Sequence, residues 1–426
     1  MTDRNAARPF GFWMATALVV GSMIGSGIFV LPAQLAPYGA SGAAAWMIAV
    51  AGALVLGRVL TRMAAAFPDA TGVVAISGAV LGPLTGVLLG WSYWVGVWAT
   101  NAIIAITATS YLAVFAPALT STPLAGAISA TALLWLMTLV NLGGARNAGR
   151  FQVVTTLLKL LPLIAVVLIL AGLMAKGGGQ FRAYPHAPVM LGQIAPALAL
   201  VFFALIGFET ASVAAERVRD PARNVGRATM VGLVVTSLFY LLVCTGVIYA
   251  LPEAAVAQSQ APVALFVETF WGRTAGLTVA AFAVIAAVGS LNGWVLMQGE
   301  LPLGMARAGL LPRWFSHVSA RDVPVRALFL SSLLASVLIL SNATRGAAGL
   351  LDFMLRLTAA ATLWIFAGAC IAALVAGISR TLAVIGLAFT AWTLWGAGFD
   401  AIAWGLALML TALPLYWLRP APVPAA

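Results

Sequence analysis

The sequence Gly21-Ser22-Met23-Ile24-Gly25-Ser26-Gly27 places three glycines within seven residues, inside an apolar run that covers 11–36. A membrane-spanning helix needs about 20 mostly apolar residues, and this run is long enough. Each glycine costs a helix about 1 kcal/mol relative to alanine, so three so close together invite a local break. A break frees backbone N–H and C=O groups, which in lipid must find other partners. A second apolar run, 193–216, carries Leu205-Ile206-Gly207-Phe208-Glu209, a glycine beside a carboxylate. Glycine-interrupted spans at matching places in two halves of a chain point to the binding site of a secondary carrier.

Composition agrees with a membrane setting. Of 426 residues, 63% are hydrophobic and 8% charged, and the mean hydropathy is +1.06. Soluble domains average about 25% charged residues, so the bilayer must solvate most of this surface. The net charge of +11 does not point to nucleic acid. Its basic residues stand singly and in pairs between apolar runs, which is the membrane pattern. Cys244 and Cys370 lie in apolar stretches and imply neither a disulfide framework nor a metal site. His186 and His317 fall in connecting segments, too far apart in sequence to suggest a metal site. No metal or cofactor is expected. The polar segment Met1–Pro9 leads into the first apolar run without a small-residue cleavage site, so that run reads as a retained helix.

Twelve spans are expected: 11–36, 41–64, 82–113, 125–143, 150–175, 193–216, 227–251, 275–303, 327–342, 348–376, 381–397 and 401–418. With the N-terminus inside, sixteen of the 22 basic residues fall on the inner side and five on the outer, with Lys159 left within a span. The positive-inside rule then puts both termini in the cytoplasm.

Four groups of side chains bear on chemistry. Amides near Gly25, Ser26 and Gly27 stand at the positive start of a second half-helix and suit a substrate carboxylate. Carbonyls before the break at Gly207 suit an ammonium. For these glycines the competing reading is close helix packing through small residues. Glu209, midway along its span, could bind a cationic group, carry a proton, or do both in turn. Its structural alternative is a hydrogen bond to a broken helix. Lys159 is about 14 Å of helix from the cytoplasmic start of its span. It either snorkels to the interface or fills a place where other carriers hold sodium. Glu300 reads as an interface carboxylate near Arg307. Tyr93, Asn101 and Trp294 are deep in their spans, and Tyr93 and Asn101 share roughly one side of a helix.

Two segments, GSMIGSGIFVLPAQLAPYG (21–39) and FFALIGFETASVAAERVRDPARNVGRATM (202–230), resemble the amino acid–polyamine–organocation superfamily. NLGGAR (141–146) and GSLNGWVLMQGE (289–300) extend the likeness over essentially the whole chain. It is strongest to bacterial arginine/agmatine and putrescine/ornithine antiporters. The resemblance implies an all-α membrane fold of twelve helices in a five-plus-five inverted repeat of the LeuT type, with two extra helices. The repeats would cover about 11–175 and 193–376, and the extra helices about 381–418. It also implies a multi-pass protein of the bacterial inner membrane that works by alternating access.

Residue by residue, the likeness places Met23, Ser26 and Gly27 on the substrate's α-carboxylate and α-amino groups, with Gly25 beside them. Gly96, Val97 and Asn101 match positions lining the side-chain pocket, and Phe203, Ile206 and Trp294 positions around it. Tyr93 matches an aromatic at the inner side of the site, and Glu209 an acid implicated in proton sensing. Lys159 is similar to a lysine of proton-linked and L-type members that stands where sodium binds in sodium-driven relatives. Ser22 replaces an asparagine and Phe203 a tryptophan of the arginine carriers, and phenylalanine is the weaker cation–π partner. The expectation is a sodium-independent antiporter of amino acids and amines. The alternative is a proton-coupled carrier of neutral amino acids. Candidate partners are the substrate, the lipid bilayer, protons, and a second copy in a homodimer. A channel would want rings of like charge or a carbonyl filter, and an enzyme a catalytic constellation. The sequence offers neither.

Overall fold

The computed structural model describes residues 11–67, 72–143, 158–184, 186–210, 218–321, 323–342 and 347–419. Its elements are helical. The first expected span is two helices, α1 (Phe12–Met23) and α2 (Gly27–Leu35), and α3 (Gly39–Ala66) follows after a short 3-10 turn. Then come α4 (Gly72–Leu81), α5 (Pro83–Leu112), α6 (Pro123–Leu142), α7 (Leu160–Ala175) and α8 (Leu191–Leu205). The second half continues with α9 (Pro221–Ala250), α10 (Glu253–Gln258), α11 (Pro262–Trp271), α12 (Arg273–Arg307) and α13 (Val325–Asn342). It closes with α14 (Ala347–Val375), α15 (Arg380–Ala397), α16 (Phe399–Leu410) and α17 (Ala412–Trp417).

Seven helical stretches among the described residues are long and apolar enough to cross a membrane. They differ sharply in burial. In the most apolar window of α5, 83% of residues are inside the protein, against 28% in α6 and 17% across α16 and α17. So α5 is the central post, while α6, α16 and α17 face outward. Leu136, Leu139, Trp404 and Trp417 are exposed there, an apolar surface that only lipid can solvate.

Helices α4, α10 and α11 are additions to the expected spans. They are 10, 6 and 10 residues long, too short for a hydropathy window tuned to full spans. The turn from α4 to α5 uses Gly82 at φ +97, followed by Pro83 at the first helical position. Gly78 and Gly86 then touch backbone to backbone: a Cβ on Gly86 would lie 2.9 Å from the Gly78 Cα. That contact folds α4 back against α5. The last expected span, 401–418, is two helical pieces that meet at Thr411. Residues 150–157 of the fifth expected span and 211–216 of the sixth lie outside the described residues.

One ion pair ties several elements at a single end of the bundle. Arg356 of α14 holds Asp352 through Nε at 2.7 Å and Nη2 at 3.1 Å. It also donates to the Pro196 carbonyl at 3.1 Å, the Gly396 carbonyl at 2.9 Å and the Tyr38 hydroxyl at 2.8 Å. One guanidinium fork thereby joins α14, α8, α15 and the turn after α2, a task suited to its five donors.

Candidate functional site

The glycine-rich run is broken where expected. Helix α1 ends at Met23, and Ile24 takes a non-helical ψ of 88°. Helix α2 restarts with Ser26 as its N-cap residue. The Ser26 side chain makes no capping bond, and its buried hydroxyl has no hydrogen-bond partner in the protein. Two carbonyls at the break are satisfied by distant side chains. The Lys159 ammonium donates to the Gly21 carbonyl at 2.9 Å, and the Tyr240 hydroxyl donates to the Met23 carbonyl.

Lys159 is fully buried, so the snorkelling alternative does not hold. Its Nζ turns inward to the break instead of to an interface, because Gly21 offers a carbonyl that the helix has released.

The second break begins after Leu205. Ile206 has ψ 134° and Gly207 has φ +118, a conformation that L-residues rarely adopt. Glu209 closes over it: its Oε2 accepts from the Gly207 N–H at 3.0 Å. Its Oε1 accepts from the Tyr93 hydroxyl of α5 at 2.6 Å. The carboxylate therefore does bond to a broken helix, and it also links that break to α5. Thr210 adds its hydroxyl to the Gly207 carbonyl at 2.7 Å.

These two breaks meet. A Cβ on Gly207 would lie 3.0 Å from the Ser22 carbonyl carbon and 3.1 Å from the Met23 nitrogen. A Cβ on Gly27 would lie 2.8 Å from the Ala204 Cβ. So the start of α2 abuts the end of α8, and a positive helix end stands beside a negative one. Gly25 faces Ser290 of α12, whose hydroxyl is 2.7 Å from where a Cβ would be and has no partner. The small-residue packing reading of Gly25 and Gly27 is thus also realised; close approach and helix breaking coexist here.

The expected side-chain set is less unified. Gly96 of α5 faces α14, with the Thr362 hydroxyl 2.6 Å from an ideal Cβ. Asn101 is fully buried and donates through Nδ2 to Gln298 Oε1 at 2.8 Å, while its Oδ1 has no partner. Tyr93 and Asn101 therefore reach different elements, one the second break and the other α12. Val97, Phe203, Ile206 and Trp294 are buried. Ile206 belongs to the second break itself, and its N–H donates to the Phe203 carbonyl at 3.3 Å. Sequence reasoning missed Tyr240, Ser290 and Gln298. Gln298 carried a signal, a polar residue one turn after Trp294 in an apolar span.

A family model described as amino acid permease matches residues 10–416. The chain belongs to the amino acid permease family. The cadaverine/lysine antiporter of Escherichia coli (strain K12) is 30% identical to this permease over 354 residues, 81% of this chain and 77% of that one. The arginine/ornithine antiporter of Pseudomonas aeruginosa is 30% identical over 335 residues, covering 76% and 69% of the two chains. That of Latilactobacillus sakei is 28% identical over 351 residues, covering 80% and 73%. Among the described residues of the permease, no cluster of three or more His, Cys, Asp or Glu could hold a metal ion.

Proposed function

We propose that this permease is a sodium-independent antiporter that exchanges amino acids and amines by alternating access. The observation that carries the reading is the meeting of the two breaks at Gly207 and Ser22–Met23. A zwitterion needs donors for its carboxylate and acceptors for its ammonium within a few ångströms. The start of α2, with its uncapped Ser26, supplies donors. The released carbonyls at the end of α8 supply acceptors. Met23, Gly25, Ser26 and Gly27 are then the residues for the α-carboxylate and α-amino groups. Gly96, Val97, Asn101, Phe203, Ile206 and Trp294 are assigned to the rest of the substrate.

The antiporter names of relatives similar over most of their length support exchange. Lys159 on the Gly21 carbonyl supports sodium independence, since a fixed cation there would do a sodium ion's work. The Tyr93–Glu209 link supports a role in gating and in proton-linked turnover. On this reading the chain is one transporter domain in a bacterial inner membrane, with twelve spans, two inverted five-helix repeats at about 11–175 and 193–376, and extra helices at about 381–418. Both termini are cytoplasmic, and a homodimer is the assembly proposed. Proton-coupled uptake of neutral amino acids is the second reading. Phe203 favours it, being a poorer partner for a cation than tryptophan.

Thermal melting of the purified protein against a panel of amino acids and polyamines tests substrate recognition. A ligand that binds only the folded state raises apparent stability. Stabilisation by cationic amino acids or their diamines is the expected result; no shift from any amino acid or amine would remove the reading.

A further inference from the structure

Asn101 and Gln298 form one end of a buried hydrogen-bond chain that crosses four helices. Asn101 of α5 donates through Nδ2 to Gln298 Oε1 of α12 at 2.8 Å. Gln298 Nε2 donates to the Ser332 hydroxyl of α13 at 2.8 Å. Ser332 and Thr138 of α6 are 2.8 Å apart, oxygen to oxygen, and the Thr138 hydroxyl donates to the Leu134 carbonyl at 2.9 Å. Asn101, Gln298, Ser332 and Thr138 are all fully buried.

The direction of this chain follows from its last member. The Leu134 carbonyl can only accept, and the 2.9 Å contact places the single Thr138 proton on it. Ser332 must then donate to Thr138 and accept from Gln298. Gln298 therefore turns its amine toward Ser332 and its carbonyl toward Asn101. Asn101 in turn must present Nδ2 to Gln298. Flipping Asn101 would set two carbonyl oxygens against each other, and relieving that would mean reversing the whole chain and giving up the Thr138–Leu134 bond. The Gln298 main-chain carbonyl is held as well, by Trp94 Nε1 at 2.9 Å; the Ser331 hydroxyl is 3.1 Å from it and 2.7 Å from the Ala327 carbonyl, with one proton for the two.

What remains is the Asn101 Oδ1, buried and without a partner. A buried acceptor left unsatisfied is costly, and a substrate that brings a donor removes that cost. An asparagine free to turn its amide would serve donors and acceptors alike. This one serves donors.

We infer that Gln298 is a positioning residue that sets specificity: by holding the Asn101 amide it makes the side-chain subsite an acceptor, favouring substrates with an ammonium or guanidinium at the distal end. This rests on the carrier reading above.

Counterflow in proteoliposomes tests it. Wild-type vesicles are loaded in turn with L-lysine, L-ornithine, L-arginine and cadaverine, and the best exchanger becomes the labelled substrate. L-lysine and its neutral isostere L-norleucine then compete for uptake. In the wild type L-lysine competes at least about tenfold better, the scale of one charge-assisted hydrogen bond. Gln298→Met, which keeps volume but frees the Asn101 amide, closes that gap. It does so by raising KM for the cationic substrate while the maximal exchange rate holds. Ser332→Ala, a milder removal of the orienting partner, narrows the gap partway. Melting of each purified variant reports folding, and if Gln298→Met does not fold, Ser332→Ala decides. Unchanged selectivity in a folded variant overturns the role of Gln298 and leaves the carrier reading standing, as does a wild type that takes L-norleucine as well as L-lysine. A wild type that exchanges none of the four loaded compounds removes the carrier reading itself, and this inference with it.

Discussion

Gly207 packs its backbone against Ser22: an ideal Cβ at Gly207 would stand 3.0 Å from the Ser22 carbonyl carbon. Backbone meets backbone there, with no flexible side chain to give way, and Gly207 holds φ +118. Gly207→Ala is thus expected to be strained twice, by conformation and by contact, at about 1–3 kcal/mol for the conformation. Melting of the purified variant should fall, and exchange should be lost. Gly25 makes the contrast. A Cβ there meets the Ser290 hydroxyl at 2.7 Å, a side chain that can be shortened. Gly25→Ala should impair exchange, and Ser290→Ala in the same chain should restore part of it. No rescue in the double variant would contradict the assigned contact.

Which of these features the sequence foretold follows from physics. Both breaks were legible because glycine weakens a helix wherever it sits, and 21–27 and 205–209 needed no partner to be read. Long spans such as α5 and α9 were legible from hydropathy alone. Short α4, α10 and α11 were not, since an apolar segment of ten residues or fewer fits a connecting loop as well as a helix. Lys159 left two directions open because the choice depends on what lies opposite; only the released Gly21 carbonyl decides it. Gln298 is legible as an oddity, but its role is relational. It needs Ser332 and Thr138 from two other helices before its amide has a direction.

Glu209 holds two donors, the Tyr93 hydroxyl and the Gly207 N–H. Glu209→Gln keeps the shape but removes the charge and the titrating group. Exchange should fall strongly and its dependence on pH should flatten. Tyr93→Phe should lower the rate while leaving a pH dependence in place, because the carboxyl remains. Exchange rates of both variants across a pH series check this. An unaltered profile in Glu209→Gln would refute the role given to that residue.

Lys159→Met leaves the Gly21 carbonyl buried without its donor, a cost of about 1–3 kcal/mol. Transport by this variant should be impaired. Wild-type exchange should be the same in sodium and in choline buffers. A sodium requirement in the wild type would rule out Lys159 as a stand-in for the ion.

Arg356 binds Asp352, Tyr38 and two main-chain carbonyls at once. Arg356→Met should lower melting, with a loss of about 1–3 kcal/mol after allowing for the partial exposure of Asp352. Arg356→Lys should recover little, since a single ammonium cannot reach four acceptors in a fork. Equal melting for arginine and lysine at this position would show that charge alone suffices.

The central claim is exchange, and counterflow tests it most directly. Purified protein in sodium-free proteoliposomes, loaded with unlabelled cationic amino acid or diamine, should take up labelled substrate far faster than empty vesicles do. Uptake into empty vesicles driven by a pH gradient, with no acceleration by internal substrate, would contradict antiport and favour proton-coupled entry.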